Sequence, residues 1–146
     1  MPRSPARRDA PATRSPHERM IAGLDHVLVC APAGCEAQAR AFYGELLELP
    51  ELVKPPVLAA RGGVWFALGE HQQLHVGVER EFAPARRAHP ALALDSVAAL
   101  DELAARLERH GHEVRWDGDL PDARRFYVAD PFGNRLELLA RTPLQP

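Results

Sequence analysis

Lysine is nearly missing from this chain: of its 18 basic residues 17 are arginine, and Lys54 stands alone. We attribute that bias to genome base composition, and it carries no functional signal. Basic excess is missing too. A formal net charge of −2 and a pI near 6.4 lack the electrostatic footprint of a nucleic-acid binder, so no DNA or RNA partner is expected. There is no apolar run of the length that a membrane span needs and no apolar h-region near the N-terminus, so neither a membrane partner nor secretion is expected. The two cysteines, Cys30 and Cys35, have no second pair to complete a zinc cluster. Reduced thiols in the cytoplasm are the expectation.

What is present fits a chain that buries a sizeable core: 146 residues, 46% of them apolar. Residues 1–20 are rich in Pro, Arg, Ser and Ala and hold five arginines, with almost no large apolar side chain before Met20. Such a composition cannot bury enough surface to order itself, and a flexible tail is expected there. A single domain is expected over 21–142.

Within it the pattern runs twice. LDHVLVC reads as a strand, 35–48 as a helix, and strands follow near 57–60, 64–68 and 73–78. A charged connection, residues 80–87, separates this first module (22–79) from a second (88–142). There HPALAL reads as a strand and 96–110 as a helix, capped by Asp95 or Ser96 and closed by Gly111. Strands near 112–116, 124–129 and 135–140 complete the order.

Superposing the modules matches His26 with His89 and His75 with Glu137; the separations are 49 and 48 residues. Side chains two apart on a strand share a face. His26 and Leu28 therefore oppose Val27 and Val29, His75 and Gly77 oppose Leu74 and Val76, and Glu137 opposes Leu136 and Leu138. The aliphatics are expected to meet the helices, leaving the imidazoles and the carboxylate on a second face beside a ligand-sized hollow. Imidazoles with one carboxylate suit zinc or another divalent first-row metal. An unpaired Glu137 on that face would cost several kcal/mol in desolvation, which a bound cation removes.

These residues carry a resemblance. GLDHVLV, ARAFYGELLEL, HPALAL and above all RFYVADPFGNRLELL resemble the vicinal oxygen chelate superfamily, which includes glyoxalase I, fosfomycin-resistance enzymes, bleomycin-resistance proteins and extradiol dioxygenases. The resemblance spans about 22–142. It implies an α+β fold of two βαβββ modules forming an open, cup-shaped mixed sheet with helices outside. It also implies that His26, His89 and Glu137 fall on metal-binding positions. At the place of His75, glyoxalase I-like members have a carboxylate that binds metal and moves protons. Histidine there could be a fourth ligand, a general base or a partner of a ligand. Tyr127 and Arg125, in phase on the strand before DPFGN, are candidates to hold a carbonyl-bearing or anionic small-molecule substrate.

The activity this implies is that of a metal-dependent lyase, isomerase or transferase acting on a small substrate with adjacent oxygens. The metal is zinc first, with nickel, manganese or iron as alternatives. A non-catalytic drug- or metabolite-binding protein and an extradiol-type dioxygenase are the competing readings. Two-module members commonly dimerise, so a homodimer is expected.

Overall fold

The structure is a computed structural model that describes residues 20–142; the tail read from the composition lies, through residue 19, outside the described residues. The first half runs β1 (His26–Ala31), α1 (Glu36–Ala39) continued as a π-helix over Arg40–Leu46, β2 (Glu51–Leu52), α2 (Pro56–Ala59), β3 (Val64–Leu68) and β4 (Gln72–Val78). The second runs β5 (Ala91–Ala93), α3 (Val97–Arg109), β6 (Arg115–Asp117), β7 (Ala123–Ala129) and β8 (Arg135–Arg141). Each half forms a four-stranded mixed sheet, in the orders β1-β4-β3-β2 and β5-β8-β7-β6. In both, the first strand lies parallel to the last and the other pairings are antiparallel. This is the βαβββ arrangement twice over, as the sequence pattern predicts. The two sheets stay separate and open.

Three local expectations shift. The strand expected at 57–60 is instead α2, because Pro56 at its first helical position has a backbone angle already set for a helix start. The pairing strand comes earlier, at β2, with Glu51 opposite Phe66 and Leu52 opposite Trp65. The helix over 35–48 widens after Ala39, where Leu47 N–H reaches back to Phe42 C=O at 2.9 Å. Strand β6 begins at Arg115, later than expected. The α3 ends are as read: the Ser96 hydroxyl accepts from Ala99 N–H at 3.1 Å, and Gly111 takes the left-handed conformation, φ 84°, just past the C-cap.

Strand alternation sets the core. Leu74, Val76, Leu136 and Leu138 are buried on the helix side, with Phe42, Tyr43, Phe66, Leu100, Leu107 and Phe126 in one continuous cluster drawn from both halves. Each such side chain contributes roughly 1.5–3 kcal/mol on full burial.

The DPFGN turn fastens the halves together. Asp130 accepts from the backbone N–H groups of Phe132 and Asn134 and from the Tyr43 hydroxyl, the last at 2.7 Å. Asn134 in turn donates to Cys30 C=O at 2.8 Å. Phe132 itself is buried in the core. Burial, reinforced by the Asp130 charge, pushes the Tyr43 phenol well above its ordinary value, so it remains a donor.

Candidate metal centre

The second face of the first sheet carries a stack of rings. His75 on β4 lies between its register partners Leu28 of β1 and Trp65 of β3. Its imidazole is parallel to the Trp65 ring, with centroids 3.9 Å apart and planes 2° apart. On its other side lies His26, at 4.3 Å and 15°. Leu28 lies over Gly77, where an added Cβ would come within 3.0 Å of its side chain; part of the hollow expected beside Gly77 is therefore filled.

Ring tautomers follow from the acceptors. Asp25 Oδ1 lies 2.7 Å from His26 Nδ1, and a carboxylate only accepts, so Nδ1 donates and the lone pair of the neutral tautomer falls on Nε2. In His75 the order is reversed: Nε2 meets the Gln73 amide oxygen at 2.8 Å, leaving Nδ1 as the free nitrogen. Burial, then the neighbouring His26 charge, holds the His75 pKa below its ordinary value.

The second sheet presents charge at the same register. Glu137 lies between Ala91 of β5 and Tyr127 of β7, as His75 lies between Leu28 and Trp65. Its carboxylate is buried, with Oε2 3.0 Å from His89 Nε2 and Oε1 accepting from Arg125 Nη1 at 3.1 Å. Arg125 also donates from Nε and Nη2 to Asp117 Oδ1, at 2.9 and 2.8 Å. That hydrogen bonding holds the Asp117 carboxyl below the usual range and raises Arg125 further. The Tyr127 ring stands edge-on to His89 and has the Arg135 guanidinium 3.9 Å from its centroid.

One expectation needs correction here. Glu137 is not an uncompensated buried carboxylate, because Arg125 supplies the opposite charge; its burial by itself does not require a metal.

His89 supplies the test of whether a cation fits. Its Nδ1 donates to Arg87 C=O at 2.7 Å, while Nε2 faces the Glu137 carboxylate. Both neighbours only accept. In the tautomer that donates from Nδ1, the Nε2 lone pair is directed at the same place as the Glu137 carboxylate, where a shared cation would satisfy both, and a backbone carbonyl on Nδ1 is the usual support of a metal-binding imidazole. The donors thus fit a divalent metal chemically.

They are not gathered in one place. His26 and His75 form one pair and His89 and Glu137 another; among the described residues no group of three or more His, Cys, Asp or Glu side chains comes together to hold an ion. The four-residue set read from the sequence is thus split between two half-sites.

Trp65 was missed as a site residue, although a signal exists. It precedes His75 by ten residues, as Tyr127 precedes Glu137, so extending the module superposition by one strand aligns the two aromatics. Both cysteines are free thiols, and burial raises both pKa values, which favours the inert protonated form.

Comparison with known proteins agrees with this architecture. The Glyoxalase/Bleomycin resistance protein/Dioxygenase superfamily profile matches residues 23–138. A Bacillus anthracis protein assigned to the glyoxalase family is 49% identical with a TM-score of 0.80, covering 86% of this chain and 99% of its own. Lactoylglutathione lyase from Agrobacterium tumefaciens is 23% identical with a TM-score of 0.65, covering 84% of this chain and 96% of its own. A genomically encoded fosfomycin resistance protein from Listeria monocytogenes is 20% identical, also at 0.65, covering 85% of this chain and 97% of its own. These last two show the shared fold alone. Among curated proteins, none matches. The chain belongs to the Glyoxalase/Bleomycin resistance protein/Dioxygenase superfamily, the vicinal oxygen chelate fold.

Proposed function

We propose that this superfamily member is a metal-dependent enzyme of the glyoxalase type, a lyase, isomerase or transferase acting on a small substrate with adjacent oxygens. It works as a homodimer in which His26 and His75 of one chain face His89 and Glu137 of the other. The observation that carries this reading is the matched presentation of Nε2 by His26 and His89, each with its Nδ1 held by an acceptor. Neither half alone offers more than two donors, and the ring face of the first is open, with Leu28 56% exposed. A second copy supplies the missing half and covers that face.

His26, His89 and Glu137 would hold the ion, zinc or alternatively nickel, manganese or iron, since such a donor set does not select among them. The ion would supply Lewis acidity toward adjacent substrate oxygens. The chain's own groups do the rest. His75, neutral because burial disfavours its charged form, keeps Nδ1 free to take a proton from substrate or to complete the coordination. Tyr127 lines the substrate side of Glu137, and Arg125 holds Glu137 in orientation.

One observation favours a second reading, a metal-free drug- or metabolite-binding protein: Arg125 already balances Glu137 without an ion. Metal analysis of protein purified without chelator or histidine tag separates the two. The enzyme reading requires about one metal per chain, as expected for one protein site built from three or four such ligands. Metal-free protein that takes up none of the four ions would replace it with the binding reading. Site sharing is tested by mixing His26→Ala with Glu137→Ala chains after dissociation. In a shared arrangement the mixed dimer regains one intact site, and metal binding reappears. No recovery would mean that each site belongs to one chain.

A further inference from the structure

We propose that Arg135 and Arg115, on either side of Tyr127, form an oxyanion-binding subsite beside the metal centre. On the proposed function, it recognises a carboxylate or phosphate-type group of the substrate. The inference rests on that reading only for the source of the anion; the subsite itself rests on the arginines.

Arg125, Arg135 and Arg115 share one sheet face with Tyr127 but differ in what occupies their donors. Arg125 is spent on Asp117 and Glu137. Arg135 and Arg115 make no ion pair and no side-chain hydrogen bond among the described residues, although both neighbour that network. Asp117 feels the Arg135 charge without touching it.

Arg135 is nonetheless held in place. Its guanidinium carbon lies over the Tyr127 ring, 3.9 Å from the centroid, a cation–π contact that holds the group without using its N–H donors. Arg115 is the register partner of Tyr127 on β6. Both line a cleft of about 730 Å³ that also takes in Tyr127 and, from the connection between the halves, Arg86. Its carboxylates are largely neutralised: Asp130 is closed inside its turn and Asp117 is paired with Arg125, which leaves Glu113 against three arginines. An excess of unpaired guanidinium donors, one of them held against an aromatic ring, suits a small oxyanion.

Place in the repeat sharpens the assignment. Arg135 precedes Glu137 by two residues, as Gln73 precedes His75. Gln73 spends its amide on the adjacent histidine, whereas Arg135 reaches away to Tyr127 and leaves its charge unspent. The cleft therefore lies next to the second half-site, within reach of a substrate whose oxygens meet Glu137 and His89.

The test is titration of chelator-treated full-length protein with inorganic phosphate and, separately, acetate, read by arginine Nε–H and backbone amide NMR shifts. Chelation prevents a metal-bound anion from imitating the subsite. Saturable shifts at Arg135, Arg115 and Tyr127 are expected, and the anion that binds more tightly assigns the phosphate or carboxylate class. Loss of one charged hydrogen-bond partner weakens binding about tenfold or more, the size expected for Arg135→Gln. Arg135→Lys is expected to recover part of the loss. Arg124→Gln, which removes the same charge from an arginine paired with Asp101 outside the cleft, is expected to leave affinity unchanged. The proposal is overturned if neither anion saturates, if Arg135→Gln binds like wild type, or if Arg124→Gln weakens binding equally. Metal content before chelation reads the proposed function separately. Stoichiometric metal without saturable anion binding sinks the subsite alone; saturable binding in a protein that never takes up metal leaves the subsite and sinks the metal reading.

Discussion

The two sheets hold their central polar residue at the same register and surround it in opposite ways. His75 sits in a stack of rings, with Trp65 and His26 parallel to it and Gln73 as its one side-chain hydrogen-bond partner among the described residues. Glu137 sits in a charge network of Arg125, Asp117 and His89, with Tyr127 and Arg135 alongside. One half orients its donor by shape, the other by charge. A repeat can thus conserve where a donor stands while leaving open how it is supported, and the two supports answer differently to mutation, metal and acid.

The largest expected contrast is in metal retention. Glu137→Ala removes the anionic donor and should lose stoichiometric metal altogether. His75→Ala removes a group whose Nε2 is already committed to Gln73; if it supports the centre without binding the ion, affinity falls by about 10–100-fold. Metal analysis with chelator competition gives both numbers. Complete loss in His75→Ala would make it a ligand, and retained metal in Glu137→Ala would remove Glu137 from the set.

The contrast also depends on the halves being fastened together. Tyr43→Phe deletes the hydroxyl that donates to Asp130 and should cost about 1.5–3 kcal/mol, the range for a hydrogen bond to a charged group. Urea denaturation should show a lower midpoint at unchanged slope. A changed slope would mean that the halves unfold separately.

This tie also marks how far the sequence could be read. Period-two alternation placed His26, His75 and Glu137 opposite the core aliphatics, because a strand has only two faces and the apolar residues claim one. The module superposition paired the donors across the repeat for the same reason. The turn residues Asp130 and Asn134 were legible as turn chemistry, yet their reach to Tyr43 and Cys30 was not, since those partners lie 87 and 104 residues away. Likewise Arg125 could be placed on the Glu137 face but not seen to be spent on two carboxylates, because Asp117 comes from a third strand whose start was misjudged. Strand β2 was misplaced because a two-residue edge strand carries almost no periodic signal. The split into half-sites depends on how the sheets pack, which alternation within a strand does not encode.

Arg125→Met probes the charge network directly. It leaves Glu137 buried without its permanent cation, so the metal-free protein should be less stable and gain more from zinc than wild type does. Thermal melts with chelator and with excess zinc measure the difference, because a ligand that binds only the folded state raises its melting temperature. Equal zinc gains in both proteins would show that Arg125 and the metal do not serve the same carboxylate.

The smallest expected effect separates the halves by acid. In the folded protein the His75 pKa lies below its ordinary value of 6.5, chiefly through burial and next through the His26 charge, partly offset by Asp25. The unfolded chain therefore binds a proton at this residue before the folded one does. His75's contribution to stability is complete above the unfolded value, begins to fall as pH drops through 6.5, and is lost once the lowered folded value is passed. Melting temperature of chelator-treated protein should decline over this window, and His75→Gln should flatten part of the decline. An Arg125→Met background should leave the His75-dependent part unchanged, since the ring stack and the charge network lie on different sheets. If His75→Gln follows the wild-type curve, the slope comes from elsewhere. If its effect vanishes in the Arg125→Met background, the two half-sites are coupled, and the division between a half held by shape and a half held by charge does not hold.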